Sequence, residues 1–267
     1  MLERLAHGRA LIGAAFAAAL LLTGCETTNG PSASGGSFVT ATDTAQMTRS
    51  GFLTDYARLR PTSWGNGVEC WRDPTLNARK YTKVLFSRIV VSLAPPKAEG
   101  ISNTVDPTDL KTLTDYFHAA LVKAVRPEMP VATTAGPGVL VIRIALTDLV
   151  PTSVSESLAG TLIPYGFVAE AGSGVATGRP AGSTPYMGAA GMEMQFRDGA
   201  TGKVVGECRD TEIGRKYALA DSSDATQVAE TWVNGYLSSF DAWSYARAAF
   251  DKWSALLAQR IAALRGQ

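Results

Sequence analysis

Residues 84–93 read VLFSRIVVSL and residues 139–149 read VLVIRIALTDL; between them Leu110, Leu113, Phe117, Leu121 and Ala124 recur at intervals of three and four. The first string is short, rich in β-branched residues and stopped by Ala94-Pro95-Pro96, the pattern of a well-buried strand. The middle run opens at Asp106-Pro107, an N-cap followed by a proline at the first helical position, and closes at Arg126-Pro127. Gly136-Pro137-Gly138 turns the chain into the second strand, which Pro151 ends. Strand, helix and strand in this order form a βαβ unit. Its strands are expected to be parallel, its crossover right-handed, and its helix to cover one face of the sheet.

Downstream, Ala190, Met192, Met194 and Phe196 alternate with Glu193, Gln195 and Arg197, a half-buried strand by its period of two. Asp198-Gly199-Ala200-Thr201-Gly202 supplies a hairpin turn, and Lys203 to Thr211 is the return strand, with Cys208 in phase with Val204 and Gly206. From Ser239 to Leu264 a long helix carries Phe240, Trp243, Ala246, Phe250, Trp253, Leu257, Ile261 and Leu264 on one stripe. At that spacing the two tryptophans read as core; a ligand box or membrane anchor is the other reading. The expected fold is a single two-layer α/β domain, its mixed sheet built from the βαβ unit and the later hairpin and covered by helices. The order is β-α-β-β-β-α. Residues 152–188 fit no period: Leu158 to Val168 suits a short helix or membrane-touching segment, and Gly172 to Gly188 looks like flexible chain. So long an insertion is a candidate partner surface.

The N-terminus carries Arg4 and Arg9, then an apolar run, Ala10 to Leu22, too short to span a bilayer. Leu22-Thr23-Gly24-Cys25 resembles the lipobox of bacterial lipoproteins, which implies cleavage before Cys25 and lipidation of its thiol, palmitate being an expected acyl chain. Residues 1–24 then form the signal peptide. Cys25 and the Thr-, Ser- and Gly-rich stretch to residue 50 form a lipidated tether, and residues 51–267 a periplasmic domain. Glu26 after the cysteine favours the outer membrane, as sorting works in enterobacterial lipoproteins. The whole chain has 25 Lys+Arg and 24 Asp+Glu, and no local basic run marks a nucleic-acid partner. The expected partners are the membrane, through Cys25, and an envelope protein or a second copy.

Cys70 and Cys208 are the two cysteines left after Cys25, and in an oxidising compartment they are expected to form a disulfide, with two buried thiols as the alternative. Chemistry is sparse. His118, the histidine left once His7 departs with the signal, sits in the first helix beside Phe117 and is expected to face solvent or to be a satisfied neighbour of the core. No nucleophile elbow accompanies it, and one histidine with two distant cysteines lacks zinc-ligand spacing, so neither metal nor cofactor is expected. Carboxylates gather at Asp106, Asp109 and Asp115 and again at Glu193, Glu207, Asp210 and Glu212; helix ends and hairpin faces account for such groups without catalysis.

Three strings stand together in order: Ser50-Gly51-Phe52-Leu53-Thr54-Asp55-Tyr56; Gly136-Pro137-Gly138-Val139-Leu140 leading to Ala145-Leu146-Thr147-Asp148-Leu149-Val150-Pro151; and Glu193-Met194-Gln195-Phe196-Arg197-Asp198 with Thr201-Gly202. With the lipobox upstream, the chain resembles the bacterial lipoprotein family of domain of unknown function 3313, from Ser50 to the C-terminal helix. The resemblance implies export, lipidation and a shared fold, and brings no catalytic residues. The expected role is a non-enzymatic interaction or assembly module on a lipid anchor. The alternative is a periplasmic carrier or sensor of an apolar small molecule or lipid, and an envelope enzyme is the third reading.

Overall fold

The second string of the βαβ unit becomes the strand on which the sheet is organised. In the computed structural model, which describes residues 38–40, 47–65, 67–92, 105–151, 188–214 and 242–266, it is β6 (Val139–Val150). Upstream lie β1 (Phe38–Thr40), β2 (Arg60–Pro61), β3 (Glu69–Arg72), β4 (Lys83–Phe86), β5 (Val90–Val91) and helix α1 (Pro107–Val125). Downstream follow β7 (Ala189–Asp198), β8 (Val204–Gly214) and helix α2 (Ser244–Gly266). The strands run β2-β3-β8-β7-β6-β4, with β1 also on β8 and β5 also on β6. β4 and β5 are parallel to β6, whereas β6, β7 and β8 are mutually antiparallel. The single mixed sheet with helices and a long C-terminal helix is therefore as the sequence indicates.

The string 84–93 makes two strands rather than one. Phe86 pairs with Ile142 and Val90 with Ala145, so one extra residue stands on the β4–β5 side. That bulge shifts the pleat by one position. Unshifted, Arg88 would follow Val84 and Phe86 into the core; with the shift Ile89 takes the place, and all three apolar side chains are buried. A second irregularity, between Leu146 and Asp148 on β6, acts likewise: Ile142, Ile144, Leu146 and Leu149 all join the core, and Asp148 turns to the other face.

The second bulge leaves no room opposite it. A Cβ on Gly191 would lie 2.6 Å from Thr147 Oγ1 and closer still to the Asp148 carboxylate. Gly191→Ala is accordingly expected to destabilise the domain by about 1–3 kcal/mol through overpacking, read as a lower urea midpoint with unchanged slope. An unchanged midpoint would mean the bulge relaxes freely.

Helix α1 starts as expected, Asp106 accepting a bond from the Thr108 amide at 2.7 Å, and buries Leu113, Phe117, Leu121 and Val125. Val125 rather than Ala124 ends the stripe, because it stands four residues after Leu121. In α2 the buried set includes Ala246, Phe250, Trp253, Leu257 and Ile261. The helices meet through Phe117 and Phe250, stacked at 4.5 Å, with Trp253 tilted against both.

The sheet's other face is covered by chain that the sequence assigns to the tether. β1 pairs with the end of β8, and Met47 packs with Ala189 and Ile213. Thr48 donates to Asp148 at 2.8 Å, and Ser50 reaches Glu193 through both its amide and its hydroxyl. Folded structure thus begins before Gly51, and the boundary expected there lies too far along the chain. Apart from Met47, polar bonds hold this stretch, which is why its composition reads as unstructured. Cys25, residues 152–187 of the insertion and Phe240 lie outside the described residues.

Candidate ligand site between the sheet and the C-terminal helix

Alternation along β7 and β8 divides their side chains between two environments. Met192, Met194, Phe196 and Cys208 face the helices. Because α1 and α2 pack on each other, they cover the sheet up to β8 and leave a gap beyond α2, toward the segment around β3. That gap is a cavity of about 330 Å³. Its floor is the β7–β8 apolar row, its roof is Trp253, Leu257 and Ile261 of α2, and Trp64, Val68 and Leu76 close the far side. Trp253, expected to be core, is core and roof at once: it is 2 % exposed and still lines the cavity.

The far wall is fixed by the disulfide. Cys70 and Cys208 stand directly opposite each other on β3 and β8 and are bonded, with Cα atoms 4.1 Å apart. This answers where Cys208 points: toward the helices. At the mouth lie Arg72, Arg260 and Arg265. Arg265 donates to the Glu128 carbonyl. The Arg260 guanidinium sits 5.5 Å above the Trp64 ring, and its pKa is lowered by burial and by the neighbouring charge of Arg72.

The four hairpin carboxylates do not form one group. Glu193 and Glu207 face the 47–58 segment, where Glu207 accepts from the Thr54 amide at 2.8 Å, Gln195 at 2.8 Å and Arg58 at 2.7 Å. Despite burial, these donors hold its pKa below the ordinary value. Beside it Arg209 makes a buried pair with Glu69 at 2.7 Å. Asp210 and Glu212 point the opposite way, under α2, where Trp253 donates to Asp210 at 2.8 Å and Lys252 to Glu212. Of the helix acids, Asp106 caps α1, Asp109 accepts from the Trp243 indole at 2.9 Å, and Asp115 pairs with Lys111 on the surface. His118 is exposed, edge-on to Phe86.

Burial and the adjacent Asp210 push the Glu212 carboxyl up to about 8, against the pull of Lys252. In the unfolded chain it titrates at its ordinary 4.5. The native state therefore binds the extra proton between these values, and the associated stability is complete at low pH and lost as pH rises through about 8. The melting temperature is expected to fall between about pH 5 and about pH 8, and Glu212→Gln to flatten that slope. Parallel slopes in wild type and variant would contradict the assignment.

The profile of the family described as "Protein of unknown function (DUF3313)" matches residues 48–236. The chain belongs to this family. Its match starts at Thr48, the residue bonded to Asp148, so the family span includes the segment over the polar face. It stops short of α2, whereas the sequence strings suggest likeness as far as that helix. The "Uncharacterized lipoprotein YdcL" of Escherichia coli (strain K12) is 30% identical over 158 residues, 58% of this chain and 67% of that protein. YdcL of Escherichia coli O157:H7 matches equally. This is a lipoprotein family of unknown function, and the likeness suggests association with the cell envelope. Among solved structures, a PelC dodecamer from Paraburkholderia phytofirmans covers 66% of this chain and 98% of its own at 14% identity, TM-score 0.30. A DUF4136 family protein from Bacteroides thetaiotaomicron covers 73% and 96% at 14% identity, TM-score 0.31.

The mouth of the cavity is what sequence reading misses. Trp64, Arg72 and Arg260 lie on no common period, and only the return of β3 onto β8 brings the first two up to α2. The available signal was the Trp64…Trp71-Arg72 cluster beside Cys70, two positions from the end of the expected disulfide.

Proposed function

We propose that the protein is a lipoprotein anchored through Cys25 at the periplasmic face of the outer membrane, and that it acts without catalysis by holding an apolar small molecule. The observation that carries this is the cavity of about 330 Å³ with its aromatic, methionine and aliphatic walls. Sites of this kind run from about 300 to 1,000 Å³ and bind through apolar contact, with few polar groups setting orientation. Methionine adapts its shape to a ligand at little cost, and two stand in the floor. The non-catalytic reading is supported by the carboxylates singled out above, which are engaged in caps, ion pairs, indole bonds and, for Glu193, bonds from Ser50.

The test is titration with a neutral apolar fluorophore, N-phenyl-1-naphthylamine. Saturable binding at one site per chain is expected, and Leu256→Trp, which places an indole in the cavity from the half-buried side of α2, is expected to abolish it. Absence of saturable binding by the wild type would overturn the proposal.

Docking onto an envelope protein or a second copy is the other reading, motivated by the anchor and the 152–188 insertion. In-cell crosslinking decides it: a discrete larger species supports an assembly role, and monomer alone across several crosslinkers removes it.

A further inference from the structure

Most cations near the buried parts of this domain have a carboxylate: Arg58 has Glu207, Arg209 has Glu69, Lys203 has Asp73, Lys80 has Asp198, and Lys252 has Asp210 and Glu212. Arg143 and Arg197 lack a carboxylate but donate to the Gln195 side-chain oxygen; Arg72 and Arg260 differ. They share the mouth of the apolar cavity, they are near enough for the charge of one to act on the other, and among the described residues no carboxylate pairs with either. Arg260 is half-buried and rests on Trp64, so its charge is only partly screened by water. Two like charges beside an apolar hollow are a cost unless an anion comes between them.

Resting on the ligand-binding reading above, we infer that the cargo is a single-chain amphiphile with an anionic head, its chain in the cavity and its carboxylate or phosphate between Arg72 and Arg260. Guanidinium groups suit that head, because their fixed fork of donors matches the paired oxygens of a carboxylate or phosphate. The chain has matching surroundings, from Phe196 and Met194 on the sheet to Leu257 and Ile261 on α2. Size decides the number of chains. At about 330 Å³ the cavity is at the small end of ligand sites, which suits one hydrocarbon chain and not the two of a phospholipid. Trp64 and Arg260 together hold head and chain at their junction, the indole face toward the first methylenes and the guanidinium above it.

The experiment is calorimetric titration of the delipidated full chain with dodecanoate and dodecyl phosphate, each below its micellar concentration, and with dodecanol below its solubility limit. One or both anions are expected to bind at least roughly tenfold more tightly than dodecanol, the size of a charge-assisted hydrogen bond. Dodecanoate alone would point to a fatty acid, dodecyl phosphate alone to a lysophospholipid-type head, and both results support the inference. In Arg260→Gln and in the surface variant Arg72→Gln the ratio of anion to alcohol affinity is expected to shrink by about tenfold; in Lys111→Gln, whose cation lies on the outer face of α1, it stays as in wild type. Dodecanol binding as tightly as the anions, or a ratio untouched by both arginine variants, would overturn the anionic head while the cavity reading stands. Failure of all three compounds to bind would overturn both.

Discussion

Replacing Cys208 with serine, or reducing the disulfide, is expected to lower the unfolding free energy by about 4 to 5 kcal/mol. The bond joins residues 138 positions apart, and in the chain-entropy account a closure of that length removes much of the freedom of the unfolded chain. Its native position gives it a second effect. β3 is a strand of four residues, and among the described residues its strand neighbour apart from β8 is the two-residue β2. The covalent tie compensates for a short ladder. Because Trp64 and Val68 precede that strand and Arg72 ends it, loosening it opens the far wall of the cavity. Urea unfolding of oxidised and reduced protein measures the first effect, and fluorophore affinity in the native baseline measures the second. Coincident unfolding curves would show that the ladder alone holds β3.

Arg209→Met is expected to cost about 3 to 5 kcal/mol, and the double variant Glu69→Leu with Arg209→Met to recover most of it. Arg209 is 2 % exposed and meets Glu69 through two nitrogens, at 2.8 and 2.7 Å, with its guanidinium also over Tyr56. Removing the cation strips a buried carboxylate of its principal counter-charge, and burial gives it little water in exchange. Replacing both partners removes the attraction and the desolvation cost together. Chemical denaturation of the two single variants and the double, as a cycle, gives the coupling. Additive losses would mean the pair is hydrated in solution, and the segment from Thr48 to Arg58 does not seal this face.

The sheet and its helices were legible because their signals are local. Periods of two and three to four over 84–149, 190–211 and 243–264 arise from one face of each element meeting the core, and the pairing of β4, β6, β7 and β8 follows. The short strands were not. Arg60-Pro61 and Glu69-Cys70-Trp71-Arg72 have no room for a period, and their place depends on β8 and on the disulfide. The polar face misled for another reason. Glu193, Gln195, Arg197, Glu207 and Arg209 alternate with apolar residues as a solvated face would, yet Glu193, Gln195 and Glu207 are fully buried. What buries them is chain more than 140 positions away: Ser50 on Glu193 and Thr54 on Glu207. No window of sequence contains such a contact. The strings that carry the family resemblance are joined by these bonds, Ser50 from the first to Glu193 in the third. At the cavity, Trp253 and Leu257 were visible as a stripe, but a stripe cannot show that the side chains of the sheet leave the space beneath it unfilled.

The ligand site itself is tested most directly by a crystal structure of the protein with 12-bromododecanoate, located by the anomalous signal of bromine. The expected result is one bromine deep between Met194 and Leu257, with the carboxylate at Arg72 and Arg260. Bromine found only on the outer surface, with the cavity closed by the protein's own side chains, would contradict it.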